Sequence, residues 1–600
     1  MKPTDAEPIS LAALFSKSEA ASVKVSPRGN YLTWMARTDG VLNLWLAPLP
    51  LPPGDVSPAA VLRCHAHQLT ASRVDCCFHY RFTHDERRIL YLRETVHGSE
   101  LYHLYCIDVE EALNGPPVAS GRDLLAAYPH LTCSIGFVGG LQLWLPKDDP
   151  NRVVLATGRG SLLWDLSSLD LASPSGALEA LATNPASTRL GIARLVVSLV
   201  VHLIVVGVCR VCIWLSLGLA APLLRRIERF APSPSTPAQY FVNPAGEVIG
   251  TASVAVGLPA AYGATIREAL FPGIALRFTR RCKRHVVARG ASDVFVPACA
   301  DVPFAKLNMQ LIGSGAASGT MRLQETRSPH ADHQASSVAG TSVAVHACDV
   351  TDTTAFVRYD LDGAAPTILA HDPRADVDGF IDSPRTGELD AVLVTAARTE
   401  VVPLTEDGRK LHAELARVRA RLSGSADDAT LTVMPASRTK ADDLWVLRAT
   451  GDAEPGTFYL HTPFQTPTSA PRELLCARPS LRKLPLVQTE SLFITARDGE
   501  RLPAYLTHPR STSANPPLVL MIHGGPNARD YAGFDSVLQL LAARGMRVLS
   551  VNYRGKPRSG SNPALASLSS LLDANLVFDP SRGQDRPALA TATTTWRLAM

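Results

Sequence analysis

Residues 518–526 read Leu-Val-Leu-Met-Ile-His-Gly-Gly-Pro. The short apolar run predicts a buried strand, and the turn that follows it presents backbone N–H groups at the carboxyl end of that strand. Backbone N–H groups in such a turn can hold the oxyanion of an acyl-transfer reaction. The turn that follows the strand comprises His523, Gly524, Gly525 and Pro526.

The sequence on both sides of this turn predicts further elements of the same sheet. Arg497-Asp498-Gly499 followed by residues 502–506 is typical of an outer hairpin. Residues 539–544 predict a helix that ends at Gly545 in the C′ position, where a left-handed backbone favours glycine. Residues 548–552 predict a second buried strand, which leads into Asn552-Tyr553-Arg554-Gly555.

In this order and spacing, the motifs of residues 497–555 resemble the opening of the catalytic domain in the prolyl oligopeptidase (S9) family of serine peptidases. That family includes acylaminoacyl peptidases and dipeptidyl peptidases. The resemblance implies an α/β-hydrolase domain that hydrolyses peptide bonds of short peptides through an acyl-enzyme, with no cofactor. It also implies that the backbone N–H groups of Gly524 and Gly525 are the candidate oxyanion donors, and that His523 and Pro526 shape the turn.

The rest of the catalytic machinery does not follow. The family's nucleophile elbow and its triad partners come after the His-Gly-Gly strand. From Gly524 to Met600 there is no histidine and no Gly-x-Ser-x-Gly. We therefore expect an incomplete, C-terminally truncated α/β-hydrolase domain with no member of the triad, and a chain that is inactive as written.

The chain before residue 486 predicts a repeated β-structure. A turn at residues 26–30 precedes strands at 31–36 and 42–46, and the same order returns 57 residues later, from Thr83. This spacing suits a four-stranded blade with its loops. Weaker repeats of this strand pattern occur as pairs of predicted strands at 153–155 and 163–166, at 342–345 and 356–360, and at 444–447 and 457–460. The family resemblance implies a seven-bladed β-propeller that covers the active site and admits only short peptides.

These patterns divide the chain into three predicted parts. A β-propeller spans residues 10–485, with a non-matching insert at about 187–335. The start of the peptidase domain spans residues 486–560, and residues 561–600 form a low-complexity tail. A catalytically inactive propeller that binds peptides or protein partners is an alternative function.

Composition excludes several other classes of function. A net charge of +4 over 600 residues gives no reason to expect a nucleic-acid partner. The basic run Arg277, Arg280, Arg281, Lys283, Arg284 and His285 is interpreted as a solvated surface segment. The eleven scattered cysteines and the polar residues 1–7 indicate a reducing, cytoplasmic location. The Cys209-x-x-Cys212 pair lacks a second ligand pair at zinc spacing, so we expect no metal.

An apolar run from Leu195 to Leu224 is long enough to span a membrane. One interpretation is a single-pass anchor and a membrane-anchored member of the family. We favour an insert that is foreign to the fold, because propeller strands on both sides of the run would belong to one ring, through which a bilayer cannot pass.

Overall fold

The computed structural model describes residues 9–51, 65–182 and 235–553, together with Ala193, Val197 and Val200. The last two ranges contain gaps, of which the longest are 258–272, 304–321 and 326–340. The chain forms two compact units. The first unit combines residues 1–73 with residues 372–600, and the second unit is residues 74–371.

The N-terminal part of the first unit is one antiparallel sheet. A short helix, α1 (Leu11–Leu14), precedes it. The strands follow one another as neighbours in the order β1 (Ala20–Val25), β2 (Tyr31–Thr38), β3 (Val41–Pro48) and β4 (His67–Gln68). The predicted strands at 31–36 and 42–46 are confirmed, and the turn between them contains Gly40 at φ +83°.

The second unit repeats this arrangement in several sheets. The first is β5 (Phe78–Phe82), β6 (Arg88–Glu94), β7 (Tyr102–Asp108) and β8 (Arg122–Asp123), with α2 (Val109–Asn114) after β7. Next come β9 (Thr132–Cys133), a separate two-stranded pair of β10 (Ile135–Gly136) and β11 (Gly140–Leu141), and then β12 (Leu143–Trp144), β13 (Arg152–Gly158), β14 (Trp164–Asp170) and β15 (Leu178–Ala182). Strands β12 to β15 form a sheet in sequence order, to which β9 adds by pairing with β13.

Two further sheets complete the described part of the second unit. One contains β16 (Ser235–Val242), β17 (Val248–Gly257), β18 (Gly273–Val286), β19 (Gly290–Pro297) and β20 (Val302–Pro303). The other contains β21 (Arg322–Glu325), β22 (Thr341–Ala347), β23 (Ala355–Asp360) and β24 (Thr367–Ala370). The predicted strand pairs at 153–166 and 342–360 are confirmed as neighbouring antiparallel strands.

The range predicted as a non-matching insert thus contains strands β16 to β21. Tyr240, Val242 and Val248 pack with Val154 and Leu166 in one buried cluster. The basic run lies on β18. Apart from Val197 and Val200, the apolar run 195–224 lies outside the described residues, as does the predicted tail 561–600.

The chain then returns to the first unit. Strands β25 (Val377–Asp382), β26 (Leu389–Thr395) and β27 (Thr399–Pro403) form a three-stranded antiparallel sheet. Helix α3 (Glu406–Ser423) follows, and its residues Leu411, Leu415 and Val418 pack against the next sheet. That sheet is β28 (Leu431–Arg438), β29 (Trp445–Gly451), β30 (Thr457–His461) and β31 (Arg472–Cys476), which confirms the last predicted pair of strands.

The final sheet differs from the others in its topology. After a 3-10 helix (Pro479–Lys483) come β32 (Thr489–Thr495), β33 (Arg501–Thr507), β34 (Leu518–Met521), α4 (Ser536–Ala543) and β35 (Arg547–Val551). The strand order is β32-β33-β35-β34. Strands β34 and β35 are parallel, and α4 forms the crossover that parallel neighbours need. The predicted hairpin, helix and two strands are confirmed, with Gly545 at φ +83° after α4. Strand β35 is buried as predicted, whereas all four residues of β34 are only half-buried, because β34 lies at the edge of the described sheet. The prediction that the first of the two strands is buried was therefore wrong.

Candidate functional site

The His-Gly-Gly turn begins at the carboxyl end of β34, as predicted. Leu520 and Met521 pair with Leu549 and Ser550 of the parallel strand β35. Gly524 is exposed, and a Cβ added there would meet no heavy atom within 4 Å. The backbone at Gly524 is therefore open to a ligand. Gly525 and Pro526 lie outside the described residues, so their roles stay predictions.

The ring of His523 stacks on Tyr553. The two ring centroids are 4.8 Å apart and the planes are inclined by 13°. Because β34 and β35 run in parallel side by side, the residues that follow them meet at the same edge of the sheet. The Nδ1 atom of His523 lies 2.8 Å from the carbonyl oxygen of Gly524. A carbonyl only accepts hydrogen bonds, so Nδ1 must carry the proton.

Asn552 holds the chain on the other side of the turn. Its Oδ1 accepts a hydrogen bond of 2.8 Å from the N–H of Asp530, and its Nδ2 donates one of 3.0 Å to the carbonyl of the same residue. The backbone N–H of Asn552 donates to Pro503 O at 2.9 Å, and the residue is 5% exposed. Asn552 and Tyr553 thus fix both flanks of the segment that carries the candidate oxyanion donors.

The Asp530 carboxyl is only partly solvated. Burial raises its pKa, and the nearby charge of Asp535 adds to this rise, while Arg529 opposes it. The Arg529 guanidinium also lies 4.9 Å from the ring centroid of Tyr531. The segment after the turn is therefore fixed by charge and ring contacts as well as by Asn552.

Arg529 also binds the turn between β26 and β27. Its Nη1 donates to Thr395 O at 2.7 Å and its Nη2 to Ala396 O at 3.3 Å. The next carbonyl, of Ala397, accepts a hydrogen bond of 2.6 Å from the hydroxyl of Tyr505. Burial raises the pKa of Tyr505, so this phenol stays protonated and remains a donor. Three consecutive carbonyls of the turn are thus held by the final sheet and the loop after the candidate site.

Arg398, the next residue of that turn, makes a buried ion pair. Its Nη2 lies 2.9 Å from Asp452 Oδ2 and donates to Thr489 O at 2.7 Å. The Asp452 side chain is fully buried, and its Oδ2 also accepts a hydrogen bond of 3.1 Å from the N–H of Thr489. A buried carboxylate needs such partners, because desolvation penalises its charged form.

Gln539 of α4 completes this network. Its Nε2 donates to Val487 O at 2.7 Å and to Asp452 O at 3.1 Å, and its Oε1 accepts from Val487 N at 2.9 Å. The Gln539 side chain thereby takes the place of a neighbouring strand for Val487, just before β32, by bonding to both its backbone N–H and its C=O. The first strand and the helix of the final sheet are both tied to the sheet β28–β31.

The sequence identified some of these residues and missed others. His523 and Gly524 lie where the motif predicted, and Asn552 and Tyr553 belong to the motif that closes the resemblance. Arg529, Tyr505 and Asp452 were missed. Their partners are backbone carbonyls, or backbone and side-chain groups about 40 to 130 residues away, as with Arg529 and Thr395, 134 residues apart. No local sequence pattern marks such contacts.

Within the described ranges, no group of three His, Cys, Asp or Glu side chains is placed to hold a metal ion. Cys209 and Cys212 lie outside those ranges. Among the helices that the structure describes, none is both long and apolar enough to cross a membrane.

Similarity to known proteins extends over most of the chain. Dipeptidyl aminopeptidase BIII from Pseudoxanthomonas mexicana is 27% identical over 565 residues, which cover 93% of this chain and 62% of that protein. The chain therefore spans less than two thirds of the length of this relative. Dipeptidyl peptidase family member 6 from Caenorhabditis elegans is 28% identical over 138 residues, covering 19% of this chain and 18% of that protein. No protein-family model matches the chain.

Solved structures of similar proteins include a prolyl endopeptidase and a puromycin-hydrolysing peptidase from Mycobacterium tuberculosis. The first is 12% identical with a TM-score of 0.48, over 94% of this chain and 64% of that structure. The second is 13% identical with a TM-score of 0.49, over 94% of this chain and 72% of that structure. With the dipeptidyl aminopeptidase as its relative along 93% of its length, the chain is confirmed to resemble the prolyl oligopeptidase (S9) family of serine peptidases.

Proposed function

We propose that this chain is the propeller and the opening of the catalytic domain of a serine-type peptidase that hydrolyses short peptides through an acyl-enzyme. The observation that carries the proposal is the exposed Gly524 at the carboxyl end of β34, in a sheet of order β32-β33-β35-β34. The sequence similarity to a dipeptidyl aminopeptidase supports it.

The backbone N–H groups of Gly524 and Gly525 are proposed to hold the oxyanion of the tetrahedral intermediate. His523 and Pro526 are proposed to shape the turn that presents them. The stack of His523 on Tyr553 and the hydrogen bonds of Asn552 to Asp530 support this arrangement, because they fix the turn before substrate arrives. Removal of one oxyanion donor typically costs about 10²- to 10³-fold in kcat.

The antiparallel sheets before β32 are proposed to be the blades of a seven-bladed propeller, within the domain boundaries predicted from the sequence (10–485, 486–560 and 561–600). Their repeated four-stranded, antiparallel order supports the proposal. In this arrangement the propeller admits only short peptides to the catalytic domain.

We also propose that the 600 residues by themselves have no peptidase activity, because no histidine follows Gly524. A serine nucleophile needs a base within hydrogen-bond reach, and the family draws that base from sequence after the nucleophile. Without the triad, oxyanion and binding effects leave only about 10³- to 10⁴-fold acceleration over water.

The test is active-site labelling with a fluorophosphonate. The 600-residue chain should remain unlabelled and should not cleave dipeptide or acyl-amino-acid anilides. A chimera that joins residues 1–553 to the remaining C-terminal part of dipeptidyl aminopeptidase BIII should be labelled and active. The same chimera with its nucleophilic serine replaced by alanine is the control. Labelling of any serine in the 600-residue chain would refute the proposed inactivity, and an unlabelled but folded chimera would refute the proposed role of residues 518–553.

A further inference from the structure

The first strand of the final sheet has an open edge. Strand β32 lies at one end of the order β32-β33-β35-β34, and among the described strands it pairs only with β33. An edge strand leaves alternate backbone N–H and C=O groups without ladder partners, and an extended peptide can pair with them.

Contacts of Thr489 show which backbone groups face outward. Thr489 pairs with Thr507 of β33, and their hydroxyl oxygens are 2.9 Å apart. Its N–H donates to Asp452 and its C=O accepts from Arg398, so both groups point away from β33. Thr489 and Thr507 are therefore a non-hydrogen-bonded pair of the ladder.

The same orientation recurs along β32. Its register with β33 continues without a shift to the pair of Thr495 and Arg501. Because the pattern alternates, the N–H and C=O groups of Ser491 and Phe493 also face outward. Pro503 stands opposite Phe493, a position that requires no N–H toward β32, and its carbonyl accepts from Asn552 on the other side of β33.

A cavity of about 800 Å³ lies along this edge. Its lining includes Ser491 and Phe493 of β32, the turn Ala396–Arg398, and Glu400. No residue of the described part of the His-Gly-Gly turn belongs to the lining. An extended chain rises about 3.3 Å per residue, so a peptide of about three residues matches the exposed groups of Ser491 and Phe493.

The charges of the lining favour a peptide over a phosphate-bearing ligand. The lining contains two guanidinium groups, of Arg398 and Arg501, and two carboxylates, of Glu400 and Glu490. Asp452 already neutralises Arg398, so the cavity has no excess of positive charge. Arg501 lies 4.5 Å from the ring centroid of Phe493, which gives an apolar surface beside charges of both signs.

We propose that this cavity binds a short, extended peptide as an additional strand on β32, through the N–H and C=O groups of Ser491 and Phe493. This is a peptide site apart from the His-Gly-Gly turn. It stands whether or not the chain takes part in peptide hydrolysis.

Isothermal titration calorimetry of the 600-residue chain with the tripeptide Ala-Val-Ala tests the proposal. Two analogues carry an N-methyl group on residue two or on residue three. Successive N–H groups of an extended chain point to opposite sides, so only one of them faces β32. One analogue should bind about tenfold more weakly than the parent, and the other should bind like it.

Two variants locate the site. Ser491→Pro removes an N–H that makes no bond to β33, a position where an edge strand tolerates proline, and it should weaken binding of the parent peptide about tenfold. Ser491→Ala keeps the N–H and should bind as the unaltered chain does. Equal binding of both analogues, unchanged binding to a folded Ser491→Pro chain, or no binding of the parent peptide would overturn the proposal. Self-association that Ser491→Pro abolishes would instead assign the edge to a second copy of the chain and would equally overturn it.

Discussion

Asn552 and Tyr553 are adjacent in sequence, and they act on opposite flanks of Gly524. The amide of Asn552 both donates to and accepts from Asp530, as a strand neighbour would. Tyr553 instead contacts His523 through its ring. Both side chains reach their partners because β35 ends beside β34. The position of one strand end therefore sets the geometry of the candidate oxyanion turn.

Asn552→Asp tests the first contact without changing the side-chain volume. The carboxylate keeps the acceptor for the Asp530 N–H but loses the donor to the Asp530 carbonyl, which is then left facing another oxygen. We expect a loss of about 1–3 kcal/mol in the free energy of unfolding, measured in urea at pH 7. The matched control is Asn515→Asp, at an exposed position, which should change stability by less than about 0.5 kcal/mol. Equal changes in unfolding free energy for the two substitutions would show that the hydrogen bonds between the Asn552 amide and Asp530 do not stabilise the fold.

The pair of Glu414 and His461 predicts how stability depends on pH. His461 Nε2 lies 2.6 Å from Glu414 Oε1, and the histidine side chain is fully buried. Burial lowers the pKa of His461, and the hydrogen bond to Glu414 offsets this only in part. Burial also opposes the charge of Glu414, but hydrogen bonds from Arg417 and His461 outweigh it and keep the pKa of that carboxyl below its usual range. The folded pair is therefore a carboxylate and a neutral imidazole that donates from Nε2.

Because the pKa of His461 is lower in the folded than in the unfolded chain, the unfolded state binds a proton first as the pH falls. Stability from this group is present above the unfolded pKa of about 6.5 and is lost on acidification below it, by up to about 1.4 kcal/mol per pH unit. Urea unfolding at pH 7.5, 6.5 and 5.5 should show a smaller loss for His461→Gln than for the unaltered chain. His412→Gln, at an exposed position of α3, is the matched histidine-to-glutamine control. An identical slope in all three proteins would contradict this assignment.

At the scale of elements, the turn between β26 and β27 links its own sheet, β25–β27, to the final sheet, β32–β35. Its carbonyls are bound by Arg529 and Tyr505, and its Arg398 side chain binds Asp452 and Thr489. The β32 backbone meets the same ion pair through Thr489. The turn is therefore held by side chains from the final sheet, and in return it orders the start of that sheet.

Asp452→Asn measures how much the buried ion pair of Arg398 and Asp452 contributes to the free energy of unfolding. The substitution leaves the Arg398 guanidinium with no carboxylate partner at a site where that carboxylate is fully buried. We expect a loss of about 3–5 kcal/mol in unfolding free energy. The exposed pair of Arg385 and Asp407, with a similar separation of 2.7 Å, provides the comparison. Arg385→Gln should cost less than about 1 kcal/mol, because water screens that pair. Comparable losses in both variants would mean that burial contributes little.

The sequence predicted elements better than it predicted their contacts. The strands β2, β3, β34 and β35 were found because apolar runs bounded by turn residues are local signals. The helix α3 was missed although its signals are also local. Thr405 caps its first turn by accepting from Gly408 N, Gly424 ends it at φ +76°, and its apolar residues recur at helical spacing. The ion pair of Arg398 and Asp452 has no local signal, since 54 residues separate the partners.

One glycine of α3 illustrates a contact that only the structure reveals. A Cβ on Gly408 would lie 1.9 Å from the carbonyl oxygen of Asp390. Glycine within the first turns of a helix usually lowers stability, so propensity alone argues against this residue. The close approach of α3 to Asp390, at the start of β26, requires it. The sequence predicts that glycine weakens the helix, but it gives no indication that the carbonyl oxygen of Asp390 lies so close.

At the scale of the whole molecule, residues that lie more than 400 positions apart in the sequence form one hydrophobic core in the first unit. Val23, Leu32 and Trp34 from the N-terminal sheet are buried with Val446 and Phe458 from β29 and β30. The core of the second unit, by contrast, contains a cluster drawn only from residues 90–171. The two units therefore differ in how much of the chain each needs before it can bury its apolar side chains.

A fragment of residues 1–371 tests this difference. It lacks β29 to β31, so Leu32 and Trp34 lose the side chains that cover them. We expect fast hydrogen exchange at residues 31–48 and slow exchange at residues 88–94 and 102–108, measured by mass spectrometry on peptides of the fragment. In the 600-residue chain both regions should be protected. Protection of residues 31–48 in the fragment would show that the N-terminal sheet is stable alone.

Hydrogen bonds between distant residues complete the packing of the first sheet only late in synthesis. The N–H of Val25 donates to Ser437 Oγ at 2.7 Å across 412 residues, and Ser536 Oγ donates to Leu14 O at 2.8 Å across 522 residues. A ribosome that adds about 5–20 residues per second needs about 20–80 s to make the first of these partners available. For that time the nascent chain presents β1 to β3 without their covering side chains. The apolar side chains of these strands therefore stay uncovered for most of the time that synthesis of the chain takes.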